Sequence, residues 1–191
     1  MDIDIFSGLL SPAQISELLI KDSDRLMVRD NKGKPQISLL PASFFHALLD
    51  VTSFGRINRT MIDEMVAVQT FGAKKYAPHN WRKGGSWVGV ADCALRHFLQ
   101  GLGPDAESGV SHRAHFACNL AYLLEFTLHH LEHDDRFKLP EDTPLPSIPF
   151  VRTPQEMVLT NFLIWLEGGS RNYLLDALFH LNAWYDDETV S

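Results

Sequence analysis

"VSHRAHFACNLAYLLEFTLHHLEH", Val110 to His133, decides the fold. Ala114, Ala117, Cys118, Ala121, Leu124 and Leu128 recur at helical spacing. The small residues on that stripe let a second helix approach closely. The spacing predicts a helix over about 110–133, the longest in the chain. His112, His115 and Asn119, with Tyr122 next, fall at i, i+3 and i+7 on a face opposite the small residues. A polar stripe with two imidazoles binds a metal or hydrogen-bonds phosphate oxygens, unless it is only a solvated face.

Just upstream, Ser86 opens a helix whose buried side is Val90, Ala91, Ala94, Leu95, Phe98 and Leu99. Gly101 and Gly103 end it, and "GPDAESG" is a loop. Antiparallel packing of the two helices gathers Arg96, His97, Asp105, Glu107 and His112 at one end of a hairpin. A helix N-terminus there offers free N–H groups to anions. Carboxylates beside a phosphate suggest Mg²⁺, which shares its ligands between protein and phosphate.

Further upstream, Thr60 is the expected cap of a helix with Met61, Met65, Val68 and Phe71 inward, and Gly72 is its expected stop. "FGAKKYAPHNW", Phe71 to Trp81, then reads as a loop leaving the helix end. Lys74 and Lys75 supply cations for phosphate. Tyr76 and Trp81 supply flat faces on which a base stacks. Asn80 offers a donor and an acceptor to a base edge or ribose. These three sets converge on one ligand, a nucleotide polyphosphate.

The flanks are plainer. Ser11, Pro12 and Gln14 open a short helix, residues 25–41 suggest a hairpin or extended arm, and Ser43–Thr52 reads as a short helix. Lys138–Pro154 holds five of the ten prolines and reads as a linker. Thr153, Pro154 and Glu156 form a capping-box start for a helix to Glu167, and a second helix covers about 171–185. The expected organisation is a helical arm over 1–28, a helical domain over 29–135, a linker over 136–153 and a C-terminal helical hairpin over 154–191.

Composition bounds the function. The formal net charge of -7 disfavours wholesale DNA binding, which wants a basic surplus, but leaves room for a local basic pocket. Cys93 and Cys118 sit in apolar helical runs and read as free thiols. No run approaches a membrane span and the N-terminus lacks a signal-peptide pattern, so a cytoplasmic protein is the default expectation.

The stretches "KGKPQISLLP", "VAVQTFGAKKYAPHNWRKG", "ALRHFLQG" and "DAESGVSHRAHFACNLAYLLEF" occur in this order. Over about Asp30 to Phe126 the chain thereby resembles a phage-type dATP/dGTP diphosphohydrolase domain family, linked with the MazG-like all-α nucleotide pyrophosphohydrolases. The resemblance implies an all-α antiparallel bundle of MazG-like type, here extended by the C-terminal hairpin. It implies a Mg²⁺-dependent cleavage of purine deoxynucleoside triphosphates to monophosphate and pyrophosphate, a phage role in nucleotide-pool control and a homo-oligomer. The paired E-x-x-E and E-x-x-D motifs of MazG-like enzymes are missing. No E-x-x-E exists, and Glu132 to Asp135 has no acidic partner at the right place upstream.

The expected assignment makes Glu107, His112 and His115 catalytic, with either histidine accepting a proton from water. Lys74, Lys75, Tyr76, Asn80, Trp81, Arg96, His97 and Asn119 bind the nucleotide. The metal falls to Glu107 with Asp92, Glu64 or the histidines. The alternative is a non-catalytic phage protein that sequesters a nucleotide or a nucleotide-derived immune signal.

Overall fold

Six α-helices follow one another among the described residues of the computed structural model, which are 11, 13, 30–53, 55–138, 140 and 153–187. They are α1 (Ala42–Val51), α2 (Arg59–Lys75), α3 (Trp87–Leu99), α4 (His112–His129), α5 (Pro154–Leu166) and α6 (Arg171–Asp187). Short 3-10 turns occupy Ile37–Leu39, Asn80–Lys83 and Leu131–His133. The described residues hold no strand, only an isolated bridge between Pro104 and Ser111, so the chain is all-α. The backbone divides into units Met1–Lys34 and Pro35–Ser191. In the first, Lys34 N–H donates to Asn31 O and Lys32 N–H to the Asp30 carboxylate, closing a turn around Gly33. The expected helix after Ser11 lies outside the described residues. The expected arm over 25–41 is, where described, this turn and a 3-10 turn.

Local sequence sets most helix ends. Ser86, Ser111 and Thr153 cap α3, α4 and α5 by accepting from Gly89, Ala114 and Glu156 N–H, and Glu156 returns the bond to Thr153 N–H. Two ends differ from expectation. Asn58, not Thr60, caps α2, accepting from Met61 N–H, while its own N–H donates to Asn182 Oδ1. Moreover, α2 runs through Gly72 to Lys75. Ala73, Lys74 and Lys75 are good helix formers, and they carry the helix over a glycine that nothing crowds. Lys74 and Lys75 therefore belong to the last turn of a helix, where its negative dipole end favours cations.

The core runs through every helix. Trp87, Trp165, Tyr185, Phe44, Phe116 and Phe162 are fully buried together. α3 and α4 are antiparallel: Phe98 meets Phe116 edge-on at 5.4 Å, and Trp87 Nε1 donates to His130 O at 3.2 Å. The small residues Ala114, Ala117, Cys118 and Ala121 are all buried. The polar stripe is not a solvated face, because α4 is enclosed on almost every side and His112 is only 7% exposed. α4 also stops at His129, and the expected last turn is the 3-10 turn Leu131–His133.

The C-terminal hairpin places Val158, Phe162, Trp165, Leu174, Leu178 and Leu181 in the same apolar core. Arg136 fastens the hairpin bend. It pairs with Asp134 at 2.9 Å and donates to Trp165 O and Gly169 O. Its guanidinium lies over the Trp87 and Trp165 rings at 4.9 and 4.5 Å.

Candidate functional site

The end of α2, the start of the turn after it, α3, the 101–111 loop and α4 enclose a cavity of about 370 Å³. That volume is in the range of small-molecule sites. Its inner wall is apolar, with Val68, Phe71, Val90, Cys118, Tyr122 and Phe126. Its polar groups are Lys75, Asn80, His97, Asp105, Glu107, His115 and Asn119. Burial pushes the Cys118 thiol up to about 12, so it is a wall and not a nucleophile. Burial likewise raises the Tyr122 hydroxyl, which accepts a hydrogen bond from Gln69.

The 101–111 loop is a preformed cradle. Gly101 and Gly109 adopt positive φ, and His112 N–H donates to Gly103 O while Asp105 N–H donates to Val110 O. Asp105 Oδ2 accepts from the Glu107 and Ser108 N–H groups, an Asx-type turn that fixes its side chain. Burial raises the Asp105 pKa, but these bonds and nearby His115 outweigh it and hold the carboxyl below its usual range. Glu107 then reaches Lys75 Nζ at 2.5 Å, and this bond raises the Lys75 pKa.

Three imidazoles cluster beside that loop. His97 Nδ1 and His112 Nδ1 are 2.9 Å apart, and His97 stacks on His115 at 4.4 Å. His115 Nε2 lies 2.7 Å from Ser108 Oγ and 3.8 Å from Asp105. Burial, and then the neighbouring His97, push the His115 pKa down to about 4 against the pull of Asp105. His115 is thus neutral at physiological pH. Burial and His112 lower His97 as well.

Of the residues singled out in the sequence, Lys75, Tyr76, Asn80, Trp81, His97, Glu107, His115 and Asn119 line this cavity. Lys74, Asp92 and Arg96 are exposed and do not line it, and Arg96 turns to Cys93 Sγ at 2.8 Å. His112 lies behind His97, outside the lining. Glu64 shares the α2 stripe of Val68 and Lys75 but sits a turn beyond the cavity. There it accepts from Ser111 Oγ at 2.6 Å and Tyr185 OH at 3.0 Å, bonds that commit it to packing α4 and α6. The expectation that Glu64 and Asp92 join Glu107 around one metal does not match this placement; Asp105 is the carboxylate that accompanies Glu107. Trp81 is 8% exposed and donates Nε1–H to Leu39 O, with Arg82 over its ring at 5.3 Å. Its role is that of a wall, whereas Tyr76 is 69% exposed and presents a free face. Asn119 lines the cavity, and its Nδ2 donates to His115 O.

Asp105 was gathered with the hairpin-end groups but given no role in the expected assignment, and Ser108 and most of the apolar wall were not singled out as site residues. The "DAES" turn, with an aspartate three residues before a serine, is the sequence signal that carries Asp105.

Residues 57–136, which supply most of the cavity, match the family model described as "dATP/dGTP diphosphohydrolase, N-terminal". No curated protein and no solved structure matches the chain.

Proposed function

We propose, from the match of residues 57–136 to a dATP/dGTP diphosphohydrolase N-terminal domain, that this chain hydrolyses purine deoxynucleoside triphosphates to monophosphate and pyrophosphate. The observation that carries the reading is the cavity within those residues, where Lys75, Glu107, Asp105, His115 and Tyr76 face one volume. Tyr76 stacks the base and Asn80 reads an edge or the ribose. Lys75 takes the phosphates. It is held to Glu107 in their absence, and a triphosphate offers it a stronger partner and frees the carboxylate.

Asp105 and Glu107 fit a Mg²⁺ ion, which needs only one or two protein carboxylates beside substrate phosphates. When bound, the ion would neutralise charge on the phosphates and activate water. His115, neutral and on the cavity wall, accepts the water proton; of the two histidines expected in that role it alone lines the cavity. Asp105 at 3.8 Å stabilises the resulting imidazolium, and phosphate charge raises the low basicity of the ring.

The test is incubation with dATP and dGTP, with and without Mg²⁺, followed by chromatography for monophosphate and pyrophosphate. Glu107→Gln should abolish product while leaving nucleotide affinity within a few fold. Full activity in that variant removes Glu107 from the mechanism. A second reading has its own support: Glu64 and Asp92 lie away from the cavity, and this thin carboxylate set favours sequestration of an intact nucleotide or nucleotide-derived signal. Recovery of unchanged ligand after denaturation of the complex would decide for it.

A further inference from the structure

We propose that His97, Asp105 and His112 form a binding site for one borderline divalent transition metal, such as Co²⁺ or Zn²⁺, on the wall of the cavity. The site shares Asp105 with the carboxylate pair assigned to Mg²⁺ above, but takes its other ligands from the two imidazoles and is tested without nucleotide. One ligand atom from each of the three residues lies within 4.8 Å of the others. They come from three segments: the last turn of α3, the 101–111 loop and the first turn of α4.

The geometry is near that of a bound ion. Two nitrogens each about 2.1 Å from a metal are separated by about 3.0 Å at a right angle and about 3.4 Å in a tetrahedron. The His97 and His112 Nδ1 atoms are 2.9 Å apart, so a small rotation of either ring admits the ion. In the metal-free pair one Nδ1 carries a proton and donates it to the other. Binding moves that proton to Nε2 of the same ring, with no net release when both are neutral.

Asp105 supplies the charge. Its hydrogen bonds fall on Oδ2, which leaves Oδ1 for a cation. The ligands are held before any ion arrives, by the loop bonds His112 N–H to Gly103 O and Asp105 N–H to Val110 O. His97 is also braced by its stack on His115. The carbonyl end of α3 favours a cation, while the N-terminus of α4 opposes it, and Asp105 decides the balance. His97 and Asp105 line the cavity and His112 does not, so the remaining coordination positions open toward the cavity. Three protein ligands and an open side are the pattern of a site that takes water or a ligand oxygen. Two imidazoles select borderline transition metals over Mg²⁺, which prefers oxygen and keeps its waters. The only other such group among the described residues, His130, Glu132 and His133, is more exposed and serves as an internal control.

The experiment uses the full chain, stripped with chelator and free of nucleotide, titrated with Co²⁺ by calorimetry and visible absorption. The expected result is one Co²⁺ per chain that excess Mg²⁺ does not displace. His97→Ala and Asp105→Asn should each weaken it by roughly 100-fold, since loss of even an outer-shell partner costs about 10–100-fold. His133→Ala should leave it intact. His112→Ala empties a buried position, so the wild-type protein supplies a check that needs no variant: Co²⁺ should shift the ring-proton resonances of His97 and His112 and leave those of His130 and His133 in place. Absence of binding, equal competition by Mg²⁺, or binding lost in His133→Ala and kept in His97→Ala overturns the site. None of these results bears on dNTP hydrolysis, which is scored separately by product.

Discussion

Tyr76 and Trp81 look interchangeable in sequence and are not so in the fold. Tyr76→Ala should weaken nucleotide binding by about 1–3 kcal/mol, the usual range for a base-stacking ring, with the melting temperature almost unchanged. Trp81→Ala should instead cost about 3–5 kcal/mol of stability, because the ring is buried and tied to Leu39 O. Thermal melts beside nucleotide titrations separate the two; a Tyr76→Ala protein that binds normally removes the stack. His115 carries a pH signature. Its folded pKa of about 4 lies below the ordinary value of 6.5, so between those values the unfolded chain holds more protons. Stability of the metal-free protein should therefore fall as pH drops from 6.5 toward 4, with His97 and His180 adding the same sign. His115→Gln should flatten that slope in urea melts taken across the window. An unchanged slope would place the titrating group elsewhere.

At the scale of elements, Arg136 joins the end of the α4 segment to the bend between α5 and α6. It satisfies two carbonyls at a helix end and the Asp134 carboxylate. Arg136→Ala leaves these unpaired and should destabilise by about 3 kcal/mol, the cost of breaking a buried pair. Lys should not rescue it, having no planar fork and no stacking face. Burial raises the Asp134 pKa, but the Arg136 bonds win and hold it below its usual 3.8. Its contribution is thus complete above about pH 4 and is lost as pH falls through the lower folded value. Acid melts of the wild type and Arg136→Ala should draw closer there by the Asp134 share alone, the carbonyl bonds and ring contacts keeping them apart. Caps were legible at this scale where one residue decides them, as at Ser86 and Thr153. The α2 boundaries were not. Asn58 is fixed by Asn182 from a distant helix, and Gly72 is overridden by the helix formers after it.

Across the whole molecule, the C-terminal hairpin is part of the core rather than an ornament on it. Removing residues 153–191 would expose the faces of Phe44, Trp87 and Phe116 that share a cluster with Phe162, Trp165 and Leu178. Such a truncation should lose cooperative unfolding, and Phe162→Ala alone should cost about 3–5 kcal/mol. A truncated chain that melts as sharply as the full one would show that the two parts are independent. The described helices include none long and apolar enough to cross a membrane.

Sequence by itself determined that the chain is helical, and it singled out the α3–α4 pair and the lysine–aromatic turn, residues of which line one cavity. Helical period, small-residue stripes and capping side chains are local, and local patterns survive without knowledge of the fold. Tertiary structure alone decided which polar groups meet. Glu64 carries the same side chain as Glu107 and lies on the cavity stripe of α2, yet α6 brings Tyr185 to claim it. His112 carries the same side chain as His115, yet packing turns it behind His97. A side chain's charge is written in the sequence; the partner that takes it up is set by which helices cross, a long-range outcome of burying one shared core.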